Sequence, residues 1–259
     1  MARTLRPLSL GQILDETFDI YRNHFVLFVS ISALPNLIVL AIDLGARLSV
    51  STDLFKSLAL LLISFFASSL VTAATTIGIS DIYLDMPTTA ITCFSRVSNK
   101  ILRVLLVSFL FGLIVVIGCS VFVIPGIYLA GVFGLAVPVV VLEGISVGES
   151  FNRSKALTKD SVGRVIIVVF FLAIVIAFIM ATALQTAWSM IISILHIRTL
   201  SSGVWYVVIS TLTTILFGPI SSIALTLTYY DQRIRREAFD ICHMMSLMNK
   251  TAANLETQK

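Results

Sequence analysis

Residues 104–142 read VLLVSFLFGLIVVIGCSVFVIPGIYLAGVFGLAVPVVVL, a stretch of 39 residues without one charged side chain. A helix needs about 20 apolar residues to cross a bilayer, so this stretch is too long for one crossing and long enough for two. Pro125 lacks a backbone donor, and Gly126 tolerates a sharp reversal of the chain. The stretch therefore predicts two antiparallel spans, 104–124 and 127–142, joined by a tight turn at Ile124-Pro125-Gly126. One long kinked helix is the alternative.

The composition of the whole chain indicates a protein that is solvated by lipid. Of its 259 residues, 58% are hydrophobic and 12% are charged, whereas a soluble domain has roughly 25% charged residues. The net charge is +4, but the cations lie between apolar segments, which is typical of membrane orientation signals. We therefore expect no nucleic-acid partner. The three cysteines are too far apart for a metal or redox motif: Cys93, Cys119 and Cys242.

Apolar and charged segments divide the chain into three parts. Residues 1–24 form an amphipathic N-terminal lead, residues 25–230 a membrane domain and residues 231–259 a cytoplasmic C-terminal tail. Six transmembrane helices are predicted in the membrane domain: 25–42, 57–80, 104–124, 127–142, 165–195 and 204–230. The predicted fold class is thus an all-α, polytopic integral membrane protein with about six transmembrane helices and amphipathic interfacial helices.

Short amphipathic segments precede the spans and resemble one another. Ser9 with Gln12, and Ser146 with Glu149, have the spacing of a capping box. A segment that starts at Thr88 has similar polarity without the same cap. These segments predict three units, each a short helix followed by a two-span hairpin, although chance similarity is the alternative. One apolar face is predicted for the first segment: Leu10, Ile13, Leu14, Phe18, Tyr21 and Phe25. This face lies either in the membrane interface or against the protein's own inner loops.

Basic residues indicate the orientation of the six spans. Fifteen Lys and Arg lie on the side of the N-terminus and three on the opposite side. Because positively charged loops remain in the cytoplasm, this split predicts a multi-pass protein of the cell (cytoplasmic) membrane with both termini in the cytoplasm. Merging the central pair of spans would place the four cations of 143–164 outside.

The sequence contains few groups that could perform catalysis or transport ions. No predicted span has an ionisable residue deep in its interior, which argues against a proton-coupled pump or an ion channel. The three histidines lie in separate segments, and neither a nucleophile elbow nor a phosphate-binding glycine loop is present. We therefore expect no enzyme activity, no metal and no cofactor. The hydroxyl residues of the second span suggest helix–helix contacts, and a polar pathway for a neutral solute is the alternative.

Charged residues at the predicted inner membrane surface are the candidate functional residues. They would form inner-face ion pairs or contact lipid headgroups: Glu143, Arg153, Asp231, Arg233, Arg235 and Arg236. An acid at a helix end near hydrocarbon needs a partner, so we expect Glu143 to contact one of the last three arginines, with Asp231 as its competitor for them. The alternative is that these charges form only the orientation signal and ordinary surface pairs.

Several short motifs are spread along the sequence: RPLSLGQILD (6–15), YRNHF (21–25), IPGIYL (124–129), PVVVLEG (138–144) with Arg153-Ser154, and YYDQRIRREAFD (229–240). These motifs resemble the glycerophosphoryl diester phosphodiesterase membrane domain family. The resemblance covers nearly the whole chain. Some members also have a soluble phosphodiesterase domain, but its His-Arg-Gly type of motif is absent from this sequence. The resemblance thus implies an integral membrane domain without that catalytic activity.

Taken together, these features predict a membrane scaffold or accessory protein that binds lipid, or a partner membrane protein, at its cytoplasmic face. A transporter or flippase-like protein for a neutral or lipidic solute is the first alternative. An intramembrane enzyme of lipid metabolism is the second. A continuous water-accessible cavity between the spans would favour transport, and a filled helical core would favour a scaffold.

Overall fold

The computed structural model describes residues 8–47, 54–159, 161–168, 177–195 and 202–237, and it confirms the all-α fold. The helices are α1 (Leu10–Asn23), α2 (Phe25–Arg47), α3 (Leu54–Tyr83), α4 (Ala90–Ser98), α5 (Ile101–Val121), α6 (Val123–Phe133), α7 (Ala136–Glu143), α8 (Val147–Thr158), α9 (Val162–Ile166), α10 (Ala177–Leu195) and α11 (Ser202–Glu237). Five helical segments within these ranges are long and apolar enough to cross a membrane: α2, α3, α5, Val123–Glu143 and Val204–Glu237. The protein is therefore a multi-pass membrane protein.

Some predicted segments are described only in part. The predicted fifth span, 165–195, contains α10 and the last two residues of α9, but residues 169–176 lie outside the described ranges. Residues 1–7 of the lead and 238–259 of the tail lie outside them as well. The last helix, α11, continues to Glu237, seven residues past the predicted end of the sixth span.

The central stretch forms two spans, as predicted, but the turn between them lies earlier. The turn is at Phe122, whose extended backbone ends α5 and precedes α6. Pro125 is the third residue of α6, where helical backbone donors have no partner within the helix and proline is tolerated. Gly126 instead allows close contact: a Cβ there would lie 2.7 Å from Cys119 N. The predicted turn at Ile124-Pro125-Gly126 is thus wrong by a few residues.

The span after this turn is interrupted. α6 ends at Phe133 and α7 begins at Ala136, because Pro138 cannot donate a helical hydrogen bond and its ring crowds the preceding turn. The Ser154 and Thr158 hydroxyls of α8 donate to the Val132 carbonyl oxygen over 2.8 and 3.2 Å. The carbonyls at the end of α6 have no following helical turn to donate to them, so the α8 hydroxyls supply hydrogen-bond donors in its place.

The three predicted units pack in a cyclic order. In chain order they are α1–α3, α4–α7 and α8–α11, and each unit begins with a capping box. Each short helix packs on the second span of the preceding unit: α4 on α3, α8 on α7, and α1 on α11. The second spans also contact one another. Because α1 packs on the last helix, the order closes into a ring, and we call the end with α1, α4 and α8 the short-helix end.

The first two short helices differ in detail from the expectation. α4 does have a capping box, formed by Thr89 with Thr92 in place of an acid or amide. In α1 the buried stripe is Ile13, Thr17 and Ile20, and Phe18 is 43% exposed. The stripe is rotated because α1 packs against α11 of its own chain rather than only against lipid.

Hydroxyl groups join the central spans α3 and α11. Thr72 Oγ1 lies 3.2 Å from Ser222 Oγ, and Thr76 Oγ1 lies 3.1 Å from Thr226 Oγ1. In lipid, where no water competes, such pairs stabilise helix contacts. These hydroxyls of the second span therefore serve as the helix–helix contacts that the sequence suggested.

Candidate functional site at the short-helix end

Each second span has an acidic residue near its carboxyl end. Asp81 and Asp231 are each 1% exposed, and the side chain of Glu143 is 14% exposed. A carboxylate at the carboxyl end of a helix opposes the helix dipole, and burial removes its water. Each of these acids therefore requires partners from another segment.

Two of the acids meet an arginine from the following short helix. Arg96 Nη1 lies 2.6 Å from Asp81 Oδ1, and Arg153 Nε lies 3.0 Å from Glu143 Oε2. Arg96 in α4 and Arg153 in α8 each stand seven residues after the N-cap of their helix, Thr89 and Ser146. The repeated position shows that the same acid–arginine contact joins the first unit to the second and the second unit to the third.

Around Glu143 the acid–arginine contact is part of a larger network of hydrogen bonds and ion pairs. The Tyr229 hydroxyl donates to Glu143 Oε1 over 2.8 Å, and Arg233 Nη1 lies 3.0 Å from that hydroxyl oxygen. Glu237 pairs with Arg153 and, over 3.3 Å, with Arg233. Hydrogen bonds from Arg153 to Glu237 and Glu143 raise the pKa of its guanidinium, so the cation stays charged.

The third acid, Asp231, binds the backbone of Leu8, which lies just before α1. The Leu8 backbone N–H donates to Asp231 Oδ1 over 2.8 Å, and Arg235 Nε lies 3.0 Å from the same oxygen. Arg164 Nε lies 3.2 Å from Asp231 Oδ2. Both arginines also donate to the Leu8 carbonyl oxygen. In α1 the residue seven positions after Ser9 is Glu16, not an arginine. The Leu8 backbone N–H and two arginines of the third unit, Arg164 and Arg235, take the place of the repeated arginine.

The six predicted site residues all lie at this end. Glu143 binds Arg153 directly and shares the Tyr229 hydroxyl with Arg233. Arg235 binds Asp231, the competitor named from the sequence, and Arg236 Nε donates to the Leu157 carbonyl oxygen over 3.1 Å. The predicted direct contact of Glu143 with one of Arg233, Arg235 and Arg236 is therefore wrong: because α8 packs on α7, the arginine that reaches Glu143 is Arg153. The participants that were not among the predicted site residues are Asp81, Arg96, Arg164, Tyr229 and Glu237. The equal distance of Arg96 and Arg153 from their N-caps was the available signal.

Cations also satisfy the carboxyl end of α7. Gly144 follows this helix with φ of 67°, a left-handed conformation that favours glycine. Lys100 Nζ donates to the Val141 carbonyl oxygen over 2.7 Å, and Arg103 Nη1 donates to that of Gly144 over 2.8 Å. Positive charge is favourable at this end of a helix, so the start of α5 is fixed to the end of α7.

Two cavities open beside these contacts. The first, which we call the Asp81 cavity, has a volume of about 340 Å³ and lies between α3, α4 and α7; its lining includes Ile77, Asp81, Arg96, Asn99, Lys100 and Val141. The second, which we call the lysine groove, has a volume of about 700 Å³ and lies between α6, α8 and α9; its lining includes Leu129, Val132, Phe133, Asn152, Lys155 and Lys159. Each cavity combines cations with apolar side chains from a span.

Metal and thiol chemistry have little support here. Within the described ranges, no group of three or more His, Cys, Asp or Glu side chains is placed to bind a metal ion. The thiol of Cys93 is buried against α3, 3.3 Å from Thr88 Oγ1, and burial raises its pKa. A thiol in this state is a poor nucleophile.

Comparison of the chain with models of protein families, with curated proteins and with solved structures gave no match. The resemblance to the glycerophosphoryl diester phosphodiesterase membrane domain family therefore stays a prediction from its short motifs.

Proposed function

We propose that this protein is an integral membrane scaffold that binds anionic lipid at its cytoplasmic face, in the cytoplasmic membrane with both termini inside. The observation that carries the proposal is the lysine groove. Its cations, Lys155 and Lys159, stand one turn apart at the end of α8, beside apolar side chains of a span. This combination suits a lipid, because the headgroup meets the cations while the acyl chain covers the apolar wall.

The packing of the spans supports a scaffold rather than a transporter. The hydroxyl pairs Thr72–Ser222 and Thr76–Thr226 hold α3 against α11. At the short-helix end, the hydrogen bond between Tyr229 and Glu143 and the ion pair between Arg164 and Asp231 join segments that are far apart in sequence. Such an arrangement is suited to presenting fixed sites at the membrane surface.

The proposed orientation follows from the charges and their contacts. Contacts of Leu8, Arg96, Arg153 and Asp231 gather four of the basic segments at the short-helix end. Those segments include most of the cations on the side of the N-terminus, which the positive-inside rule assigns to the cytoplasm.

Cysteine labelling in intact cells tests this orientation. A cysteine-free background would receive Ile124→Cys, at the turn between α5 and α6, or Gln258→Cys in the tail. Ile124 is 81% exposed, whereas any side chain at the neighbouring Gly126 would collide with α5. We expect a membrane-impermeant maleimide to label only Ile124→Cys. Labelling of Gln258→Cys instead would overturn the orientation.

Lipid binding by the delipidated protein in detergent tests the groove. Each lysine near a headgroup contributes about 1 kcal/mol, so Lys155→Gln with Lys159→Gln should weaken phosphatidylglycerol binding by roughly 30-fold. The matched control is Arg47→Gln with Lys56→Gln, which removes two cations from the opposite side. Equal affinity of the groove variant and the control would overturn the proposed function.

A further inference from the structure

The carboxylate of Asp81 is only half satisfied. Its Oδ1 accepts a hydrogen bond from Arg96, but its buried Oδ2 has no hydrogen-bond partner among the residues that the structure describes. A buried charged oxygen without a donor is costly. The position therefore calls for a donor that the described residues do not supply.

The acids at the ends of the other two second spans, Glu143 and Asp231, have both carboxylate oxygens bonded, unlike Asp81. Both oxygens of Glu143 accept hydrogen bonds from Arg153, and Tyr229 adds a third bond. Both oxygens of Asp231 bind Arg235. Asp81 also lines a cavity together with the cations Arg96 and Lys100.

The cations of the Asp81 cavity are placed for an anion. Arg96 and Lys100 stand four residues apart, and the side chain of Arg96 is 51% exposed although its partner is buried. Lys100 Nζ gives one bond to the Val141 carbonyl oxygen, and an ammonium group has three donors. Both side chains can therefore donate to a phosphate at the mouth of the cavity without leaving their present partners.

We propose that the Asp81 cavity binds a phospholipid headgroup that has both a phosphate and a primary ammonium group. Arg96 and Lys100 bind the phosphate, and the ammonium donates to Asp81 Oδ2. Ile77 and Val141 line the same cavity and contact the apolar part of the lipid. A choline headgroup has no N–H donor and leaves Oδ2 unpaired, so the site discriminates primary from quaternary ammonium.

This inference rests on the proposed function in one respect, namely that lipid supplies the headgroup. The lysine groove and the Asp81 cavity are lined by different residues. If the groove variant still binds phosphatidylglycerol as tightly as its control, only the proposed function is contradicted. Headgroup selectivity at the Asp81 cavity is measured in a separate experiment.

The experiment compares phosphatidylethanolamine with phosphatidylcholine of identical acyl chains, using native mass spectrometry of the delipidated full chain. One charge-assisted hydrogen bond separates the two lipids, so we expect the ethanolamine lipid to bind about tenfold more tightly. Asp81→Asn should reduce this ratio to about one, whereas the matched variant Glu143→Gln should retain it. Equal binding by the unmodified protein, or an unchanged ratio in Asp81→Asn, would overturn the inference.

Two further arms keep the test decisive. Lys100→Gln leaves the Asp81–Arg96 pair in place and should weaken both lipids alike, which gives a result even where Asp81→Asn fails to fold. Weakening of neither lipid would exclude the phosphate contact. Free phosphoethanolamine tests the source of the headgroup: binding as tight as that of the lipid would assign the site to a soluble ligand and overturn the lipid part of the proposal.

Discussion

The two junctions that follow the first and second units use the same acid–arginine device in two different states. At the second junction, Glu143 has both oxygens bonded and belongs to a network with Arg153 and Tyr229. At the first, Asp81 has one bond, to a half-exposed Arg96, and faces a cavity. The same contact is thus saturated at the second junction and unsaturated at the first, where we propose that a lipid headgroup completes it.

Breaking the saturated junction should cause the greatest loss of stability. Glu143→Gln removes charge-assisted bonds to Arg153, and such bonds contribute about 1.5–3 kcal/mol. Asp81→Asn should cost less, roughly 1 kcal/mol or below, because Arg96 is half exposed and remains solvated. Thermal unfolding in detergent measures both variants. Equal destabilisation by the two would remove the distinction between the junctions.

A smaller effect is expected from the hydroxyl that extends the network. Tyr229→Phe leaves the ring in place but removes the donor to Glu143 and the acceptor for Arg233. We expect a loss of about 1–2 kcal/mol. In a double-mutant cycle with Glu143→Gln, the two losses should be less than additive. Additive losses would show that Tyr229 and Glu143 stabilise the protein independently.

Sequence reasoning reached the parts of the fold that depend on local pattern. Long apolar runs indicated the spans, and the capping boxes at Ser9 and Ser146 formed as predicted. Contacts that depend on the cyclic packing were out of reach. No local pattern shows that α4 lies on α3, so the matching positions of Arg96 and Arg153 did not identify Asp81 as the partner of Arg96. For the same reason, Glu143 was assigned to the wrong group of arginines. The turn at Phe122 was missed because proline is also tolerated in the first turn of a helix, and because Gly126 serves close packing against Cys119 rather than a chain reversal.

The dependence of stability on pH should differ slightly between the two junctions, by less than the differences described above. Hydrogen bonds from the Ser146 side chain and backbone lower the pKa of Glu149 in the α8 capping box. A lowered pKa in the folded state means that this contribution is present above the usual pKa of glutamate and is lost as pH falls through the lowered value. Thr92, its counterpart in α4, does not titrate. Glu149→Gln should flatten the acid side of the stability profile slightly, whereas Thr92→Ala should shift the profile without changing its shape.

The most direct test of the contrast between the junctions is thermal unfolding of the unmodified protein, Glu143→Gln and Asp81→Asn, each with and without phosphatidylethanolamine. We predict that Glu143→Gln lowers Tm without lipid but keeps the upward shift that the lipid produces. Asp81→Asn should unfold closer to the unmodified protein without lipid and lose that shift. If the two variants lose Tm and lipid-induced shift in parallel, the junctions do not have separate structural and binding roles, and the account is contradicted.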